Sequence, residues 1–254
     1  MAHKSPCNTG TDHTHTSTNL KYKRCIVKIS GEMLKSTSTL FDIPMLDYIA
    51  KQVQDAHLLG ACIGIVIGGG NILRGREVVW LNKVDADNCG MLATIINGIT
   101  LHSKLHTMGI PVRLSSGMPV QGVVDRCNPF NDRREFDCGT VFIFVGGTGN
   151  PLFTTDTAAA LRAVEFNADI VIKATKVDGV YSADPEKDKN ATRYTMVTYD
   201  EAITKNLQIM DLAAFNICRE ANIPICVYGL TQHPLPYVIT NGGIGTLVTD
   251  GGKQ

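Results

Sequence analysis

The sequence predicts an α/β protein, a three-layer α/β/α sandwich on a mainly parallel central sheet. Two observations carry that prediction. From Arg24 onward, short β-branched runs alternate with longer segments of helical period, and strands apolar along their whole length need helices over both faces. Glycine clusters also stand where several of those runs end, which is where open parallel sheets hold ligands.

Residues 1–21 are polar, rich in Thr and His and short of large apolar side chains. They are expected to form a flexible tail, because such a segment cannot offset its ordering entropy. Residues 22–254 are expected to make one domain. RCIVKIS at 24–30 reads as a strand, and 44–59 as a helix with Asp42 near its start, Leu46, Ile49, Ala50, Val53 and Ala56 along one face, and Gly60 stopping it. A strand follows at 61–67, then a long helix at about 84–108 stopped by Gly109 and Pro111. Strands at 111–114, 140–145 and 169–173 continue the series, with a helix at 155–166 between the last two. Thr198 and Glu201 have the spacing of a capping box, 210–221 reads as a helix, and 224–228 as the closing strand. Residues 117–139 are too many for a structureless loop, so a further element is expected there.

Composition narrows the function. The chain has 254 residues, 24 Lys+Arg against 24 Asp+Glu, 44% hydrophobic and 19% charged residues. Zero formal charge removes bulk attraction to nucleic acid or an anionic membrane, and the apolar content is enough for a full core. No run reaches the roughly 18 apolar residues of a membrane span. The eight cysteines include no CxxC pair; Cys25, Cys62 and Cys226 lie in apolar runs and read as small buried hydrophobes of a reducing, cytoplasmic protein.

Three glycine-bearing loops converge on one predicted sheet edge: Ser30-Gly31, Gly68-Gly69-Gly70-Asn71 and Gly146-Gly147-Thr148-Gly149-Asn150. Glycine lets backbone N–H groups approach an anion, and a following helix N-terminus adds a favourable dipole, so phosphate is the natural ligand. For any single loop a tight turn explains the glycine equally well; three on one edge favour the ligand. Neither a P-loop nor a complete GxGxxG is present. The cations sit beside the loops instead, with Lys28 inside a strand and Arg74, Lys173 and Lys176 nearby. Transfer of a phosphoryl group to a phosphate needs fixed positive charge, backbone donors and Mg²⁺ rather than a strong base, since the acceptor is already ionised. Asp156 reads as a first-turn acid of its helix, and Asp211, in an apolar setting, as paired with Lys28 or orienting backbone. Asp87 either caps the long helix or accepts ribose hydroxyls. His102 and His106 share a helix face, and His13 and His15 lie in the tail, but neither pair has a third ligand in reach along the sequence.

VKISGE (27–32), IGGGNILRG (67–75), GMLATIING (90–98), GTGNPLFTTDTAA (147–159), KATKVDGVYSADP (173–185) and IMDLAAF (209–215) together resemble the bacterial-type UMP kinases of the amino acid kinase family. The resemblance implies the amino acid kinase-like fold, phosphoryl transfer from ATP to UMP in pyrimidine biosynthesis with Mg²⁺ carried on the nucleotide phosphates, and a homohexamer. It places Lys28, Ile29, Ser30, Gly31, Gly70 and Arg74 at the ATP phosphates, with Thr175, Tyr181 and Asp184 at the ATP nucleoside. It places Gly69, Asp87, Thr148, Gly149, Asn150, Pro151, Leu152, Phe153, Thr154 and Thr155 around UMP. Lys28, Arg74, Asp156 and Asp211 are the implied catalytic set, Asp211 orienting Lys28. At 35–41 the chain departs from the glycine-rich stretch that serves an allosteric nucleotide in many relatives. Two alternatives stay open: an enzyme of the same fold phosphorylating a carboxylate or carbamate, or a non-catalytic nucleotide-binding regulator.

Overall fold

The computed structural model describes residues 20–73, 78–183, 185, 187–207 and 209–251. Its centre is an eight-stranded sheet built from β1 (Arg24–Ile29), β2 (Cys62–Ile67), β3 (Val112–Ser116), β4 (Val141–Val145), β5 (Ile170–Thr175), β6 (Met196–Thr198), β7 (Ile225–Gly229) and β8 (Thr246–Thr249). The spatial order is β3-β4-β2-β1-β5-β7-β8-β6. Every pairing is parallel except β7 with β8, so the expected mainly parallel sheet is present.

Helices α1 (Ile43–Leu58), α2 (Lys83–Thr107), α3 (Pro129–Asp137), α4 (Thr155–Glu165), α5 (Tyr199–Thr204), α6 (Leu212–Glu220) and α7 (Leu235–Asn241) cover the two faces. Alternate residues of the central strands divide the core in two. Val27, Ile29, Ile63, Ile65 and Ile172 pack with α1, α2 and α7. Ile26, Val66 and Val171 pack with α3 to α6 on the opposite face, around Phe136, Phe142, Phe144 and Phe166. Asp42 caps α1 by accepting from the Met45 amide at 3.0 Å, and Thr198 caps α5 through the Glu201 amide at 3.0 Å.

Most sequence expectations hold to within one or two residues, and the further element expected in 117–139 is present as α3. The strand at 225–229 does not close the sheet, because β8 runs antiparallel beside it and carries β6 on its outer side. α7 was not anticipated. The Lys21 and Tyr22 amides both donate to the Ile239 carbonyl, at 3.0 and 3.1 Å, tying this segment to α7. Residues 1–19 lie outside the described residues. Cys25, Cys62, Cys218 and Cys226 are buried free thiols. Among the described residues no helix is long and apolar enough to cross a membrane.

Gly98, inside α2, packs tightly against β3 and β4 of the sheet. A Cβ there would come within 2.2 Å of Val145 Cγ1 and 3.2 Å of Leu114 Cδ2. Helix propensity alone favours Ala over Gly by about 1 kcal/mol, but overpacking a rigid strand costs about 1 to 3 kcal/mol. Gly98→Ala is therefore expected to lower the urea midpoint, whereas a propensity-dominated site would raise it.

Candidate active site at the carboxyl edge of the sheet

Lys28 and Lys173 are register partners on β1 and β5. Their neighbours Ile26 and Val171 pack toward α4, so by strand alternation both lysines face that helix. Two ammonium groups about 5 Å apart repel by roughly 3 kcal/mol at an effective dielectric of about 20. Asp156, in the first turn of α4, answers both. Its Oδ1 lies 2.8 Å from Lys28 Nζ, and its Oδ2 accepts from Lys173 Nζ at 2.8 Å. Lys173 also donates to the Ile209 carbonyl. Burial pushes the Asp156 carboxyl up, but the two lysines outweigh it and hold it below the usual carboxylate range. For Lys173, burial prevails over the pull of Asp156 and lowers its pKa, with Lys28 adding to the effect.

Asp211 was expected to orient Lys28, and the partner of Lys28 is Asp156 instead. Asp211 is the N-cap of α6, accepting from the Ala214 amide at 2.8 Å, from Thr157 Oγ1 at 2.8 and 2.9 Å, and from Thr154 Oγ1. The reason is placement: α6 packs against α4, so Asp211 braces the first turn of the helix that carries Asp156. The alternative reading of Asp211, as a residue orienting backbone, matches this geometry.

A cleft of about 300 Å³ opens where the loops after β2 and β4 meet α2. Gly69, Gly70, Asp87, Met91, Thr94, Gly147 and the 152–155 segment line it. The glycines are required by close packing: a Cβ on Gly31 would stand 2.5 Å from the Gly68 carbonyl oxygen and 2.6 Å from the Gly70 nitrogen. Asp87 lies inside α2 and does not cap it, because Asn82 does so through the Asp85 amide at 3.0 Å. The Asp87 carboxylate pairs with Lys83 and accepts from the Leu152 amide at 2.8 Å, which holds Leu152 at a left-handed φ of 72°. Thr148, Gly149, Asn150 and Pro151 form the outer part of this loop and do not line the cleft; Thr148 Oγ1 accepts from the Asn150 amide at 3.1 Å.

A second cleft, of about 460 Å³, lies beyond β5 and is lined by Lys173, Thr175, Gly179, Tyr181 and Leu207 among others. Tyr181 donates its hydroxyl to Asp178 at 2.6 Å, and Arg193 pairs with the other oxygen of that carboxylate at 3.2 Å. Between the two clefts, at the end of β1, Lys28, Ser30, Lys173, Thr175 and Lys176 surround a smaller hollow. Ile29 is not a side-chain contact for any ligand, being buried in the core with its carbonyl accepting from the Gly68 amide at 2.9 Å. Arg74 and Asp184 lie outside the described residues.

Sequence reasoning missed two polar residues that hold the first cleft together with Asn71 of the β2 loop: Thr94 and Asn97, all three buried. The available signal was that Thr94 and Asn97 interrupt the apolar run of α2 three residues apart, and buried polar groups are almost always bonded. His102 and His106 stack with ring centroids 6.1 Å apart. Among the described residues no cluster of three or more His, Cys, Asp or Glu is arranged to hold a metal.

The Asp156 arrangement fixes the sign of one pH effect. A carboxyl whose folded pKa is depressed contributes stability that is fully present above its ordinary pKa of about 3.9 and lost as pH falls through the folded value. The stability gap between the unchanged protein and Asp156→Asn, from urea unfolding, is therefore expected to be constant near neutrality and to shrink below about pH 4. A gap that widens on acidification would contradict the ion-pair geometry.

The family model described as the amino acid kinase family matches residues 23–229. The uridylate kinase of Legionella pneumophila (strain Corby) is 43% identical over 236 residues, covering 90% of this chain and 95% of its own length. That of Salmonella typhimurium (strain LT2) is 42% identical over 240 residues, covering 92% and 100%. The solved UMP kinase from Bacillus anthracis superposes with a TM-score of 0.87 at 35% identity, covering 91% of this chain and 97% of that one. The UMP kinase from Ureaplasma parvum gives 0.83 at 35% identity, covering 89% and 98%. With the family model matching most of the chain and this extent of identity, the chain belongs to the amino acid kinase family and is similar to uridylate kinases within it.

Proposed function

We propose that the protein transfers the γ-phosphoryl group of ATP to UMP, giving ADP and UDP, in pyrimidine nucleotide synthesis. The observation that carries this reading is a pair of lysines at the ends of β1 and β5, held abreast by one carboxylate, with Lys173 also lining the second cleft and the first cleft opening from the neighbouring β2 loop. Two polyanions must approach each other there, and fixed cations lower the cost of that encounter. The uridylate kinase identity of its relatives favours UMP over a carboxylate or carbamate acceptor. The intact Lys28, Asp156 and Lys173 array favours an enzyme over a nucleotide-binding regulator.

In this reading the first cleft takes UMP. Asp87 accepts its ribose hydroxyls, the 152–155 segment lies against the nucleotide with 148–151 behind it, and the Gly69 and Gly70 amides face its phosphate. Thr175 and Tyr181, with Asp184, hold the ATP nucleoside, while Ser30, Gly31 and Arg74 meet its phosphates. Lys28 and Lys173 turn toward the transferred group, and the arriving negative charge favours the protonated form of Lys173 that burial disfavours. A phosphate oxygen of UMP forms the new bond to the γ-phosphorus as the bond to the β,γ-bridging oxygen breaks and ADP leaves. No residue needs to remove a proton, since that oxygen is already ionised near neutral pH. Asp156 and Asp211 act by position, the first fixing the lysines and the second bracing the start of α4.

The donor set fits magnesium that travels on the triphosphate. Both oxygens of Asp156 are engaged by lysines, and those of Asp211 by Thr154, Thr157 and the Ala214 amide. When bound, Mg²⁺ supplies neutralisation of β- and γ-phosphate charge. We further propose a cytoplasmic homohexamer. Leu92, Ile96 and Ile99 form an exposed apolar stripe along α2, and a stripe of this kind supports self-association.

The test is ADP formation from ATP and Mg²⁺ with UMP, CMP, AMP, acetylglutamate or carbamate as acceptor, beside a Lys28→Ala control. Turnover is expected with UMP and is expected to fall about 100-fold or more in the control. UMP binding without turnover would instead favour the regulator.

A further inference from the structure

Helix α2 reaches the ends of two different strands from one of its faces. Thr94 Oγ1 accepts from the Gly146 amide at 2.7 Å, just past β4, and donates to the Met91 carbonyl at 2.7 Å. Both hydrogen-bonding directions of that hydroxyl are thereby fixed. Three residues on, Asn97 donates to the Gly68 carbonyl at 2.6 Å, just past β2, and exchanges hydrogen bonds of 2.7 and 3.0 Å with Asn71. All of these groups are buried. Gly146 and Gly147 both have left-handed φ, at 67° and 54°, so the Thr94 bond pins the chain where it turns into the first cleft.

We propose that Thr94 and Asn97 are positioning residues that set the spacing between the two glycine loops flanking the acceptor, and that Thr94 in particular fixes the loop that wraps it. This rests on the kinase reading above. Neither residue reaches the reacting phosphates; each acts through the backbone it holds. An apolar core would pack α2 without either group, and a buried polar pair persists at a cost unless every member is satisfied. Here every member is satisfied, and each of the two residues has one bond to a strand-end glycine, Gly146 for Thr94 and Gly68 for Asn97.

Thr94→Val keeps the shape of the side chain and removes the acceptor for Gly146, while Thr94→Ser keeps the acceptor. Steady-state kinetics with UMP and ATP, with thermal midpoints for all three proteins, separate the possibilities. In the Val variant the KM for UMP is expected to rise about tenfold or more while the KM for ATP stays within about twofold. The Ser variant is expected to return the UMP KM to within about threefold of the unchanged protein. A Val variant with a lower midpoint and an unaltered UMP KM would overturn the proposal, leaving Thr94 a structural residue. Equal loss in Ser and Val would also overturn it. Absence of UMP turnover by the unchanged protein would overturn the kinase reading and this proposal with it.

Discussion

Lys28 and Lys173 stand side by side on neighbouring parallel strands, on one face of the sheet, with 11% and 17% of their side-chain surfaces exposed. Two like charges in that position are unfavourable unless a counter-charge sits between them. Asp156 supplies it from the first turn of α4, with one oxygen to each lysine. Much of the surrounding structure serves to keep that carboxylate in place. Thr154 caps α4 by accepting from the Asp156 amide at 3.0 Å, and Asp211 holds both Thr154 and Thr157 while capping α6. The Ile209 carbonyl takes a further hydrogen of Lys173. A small alteration at any of these points would move charge at the carboxyl ends of β1 and β5.

The sheet explains why clefts open on both sides of this point. β1 lies between β2 and β5, so the loop ending β1 has the β2 loop on one side and the β5 segment on the other. Chain crossovers leave in opposite directions from such a point, and a crevice opens outside the carboxyl ends of the strands. The glycine loops come close enough for backbone amides to face it, and α2 fixes both through Thr94 and Asn97. The side chains that secure backbone position at the ends of β2 and β4, Thr94 and Asn97 with Asn71, are buried.

Much of this was legible in the sequence. Lys28 stood out because a lysine interrupting a β-branched strand is costly without a purpose, and the strand ends gave the glycine loops their common edge. What could not be read was pairing across the chain. Nothing in the spacing of Lys28, Asp156, Lys173 and Asp211 tells which carboxylate meets which lysine; that follows from strand register and from α6 packing on α4. Thr94 and Asn97 were hidden inside a helix whose apolar period dominated its pattern. β6, β8 and α7 are short, and elements of three to seven residues carry too little periodicity to be separated from loop. α3 was legible only as an excess of loop length.

The central claim, that Asp156 exists to keep two buried lysines abreast, is tested most directly by a double-mutant cycle on stability. Asp156→Asn, Lys173→Met and the double variant would be unfolded in urea at neutral pH. With both lysines present, losing Asp156 leaves two buried ammonium groups facing each other; with Lys173 gone it leaves one. The account predicts that Asp156→Asn is less damaging in the Lys173→Met background by about 1 to 3 kcal/mol. Additive effects, agreeing within about 0.5 kcal/mol, would contradict it.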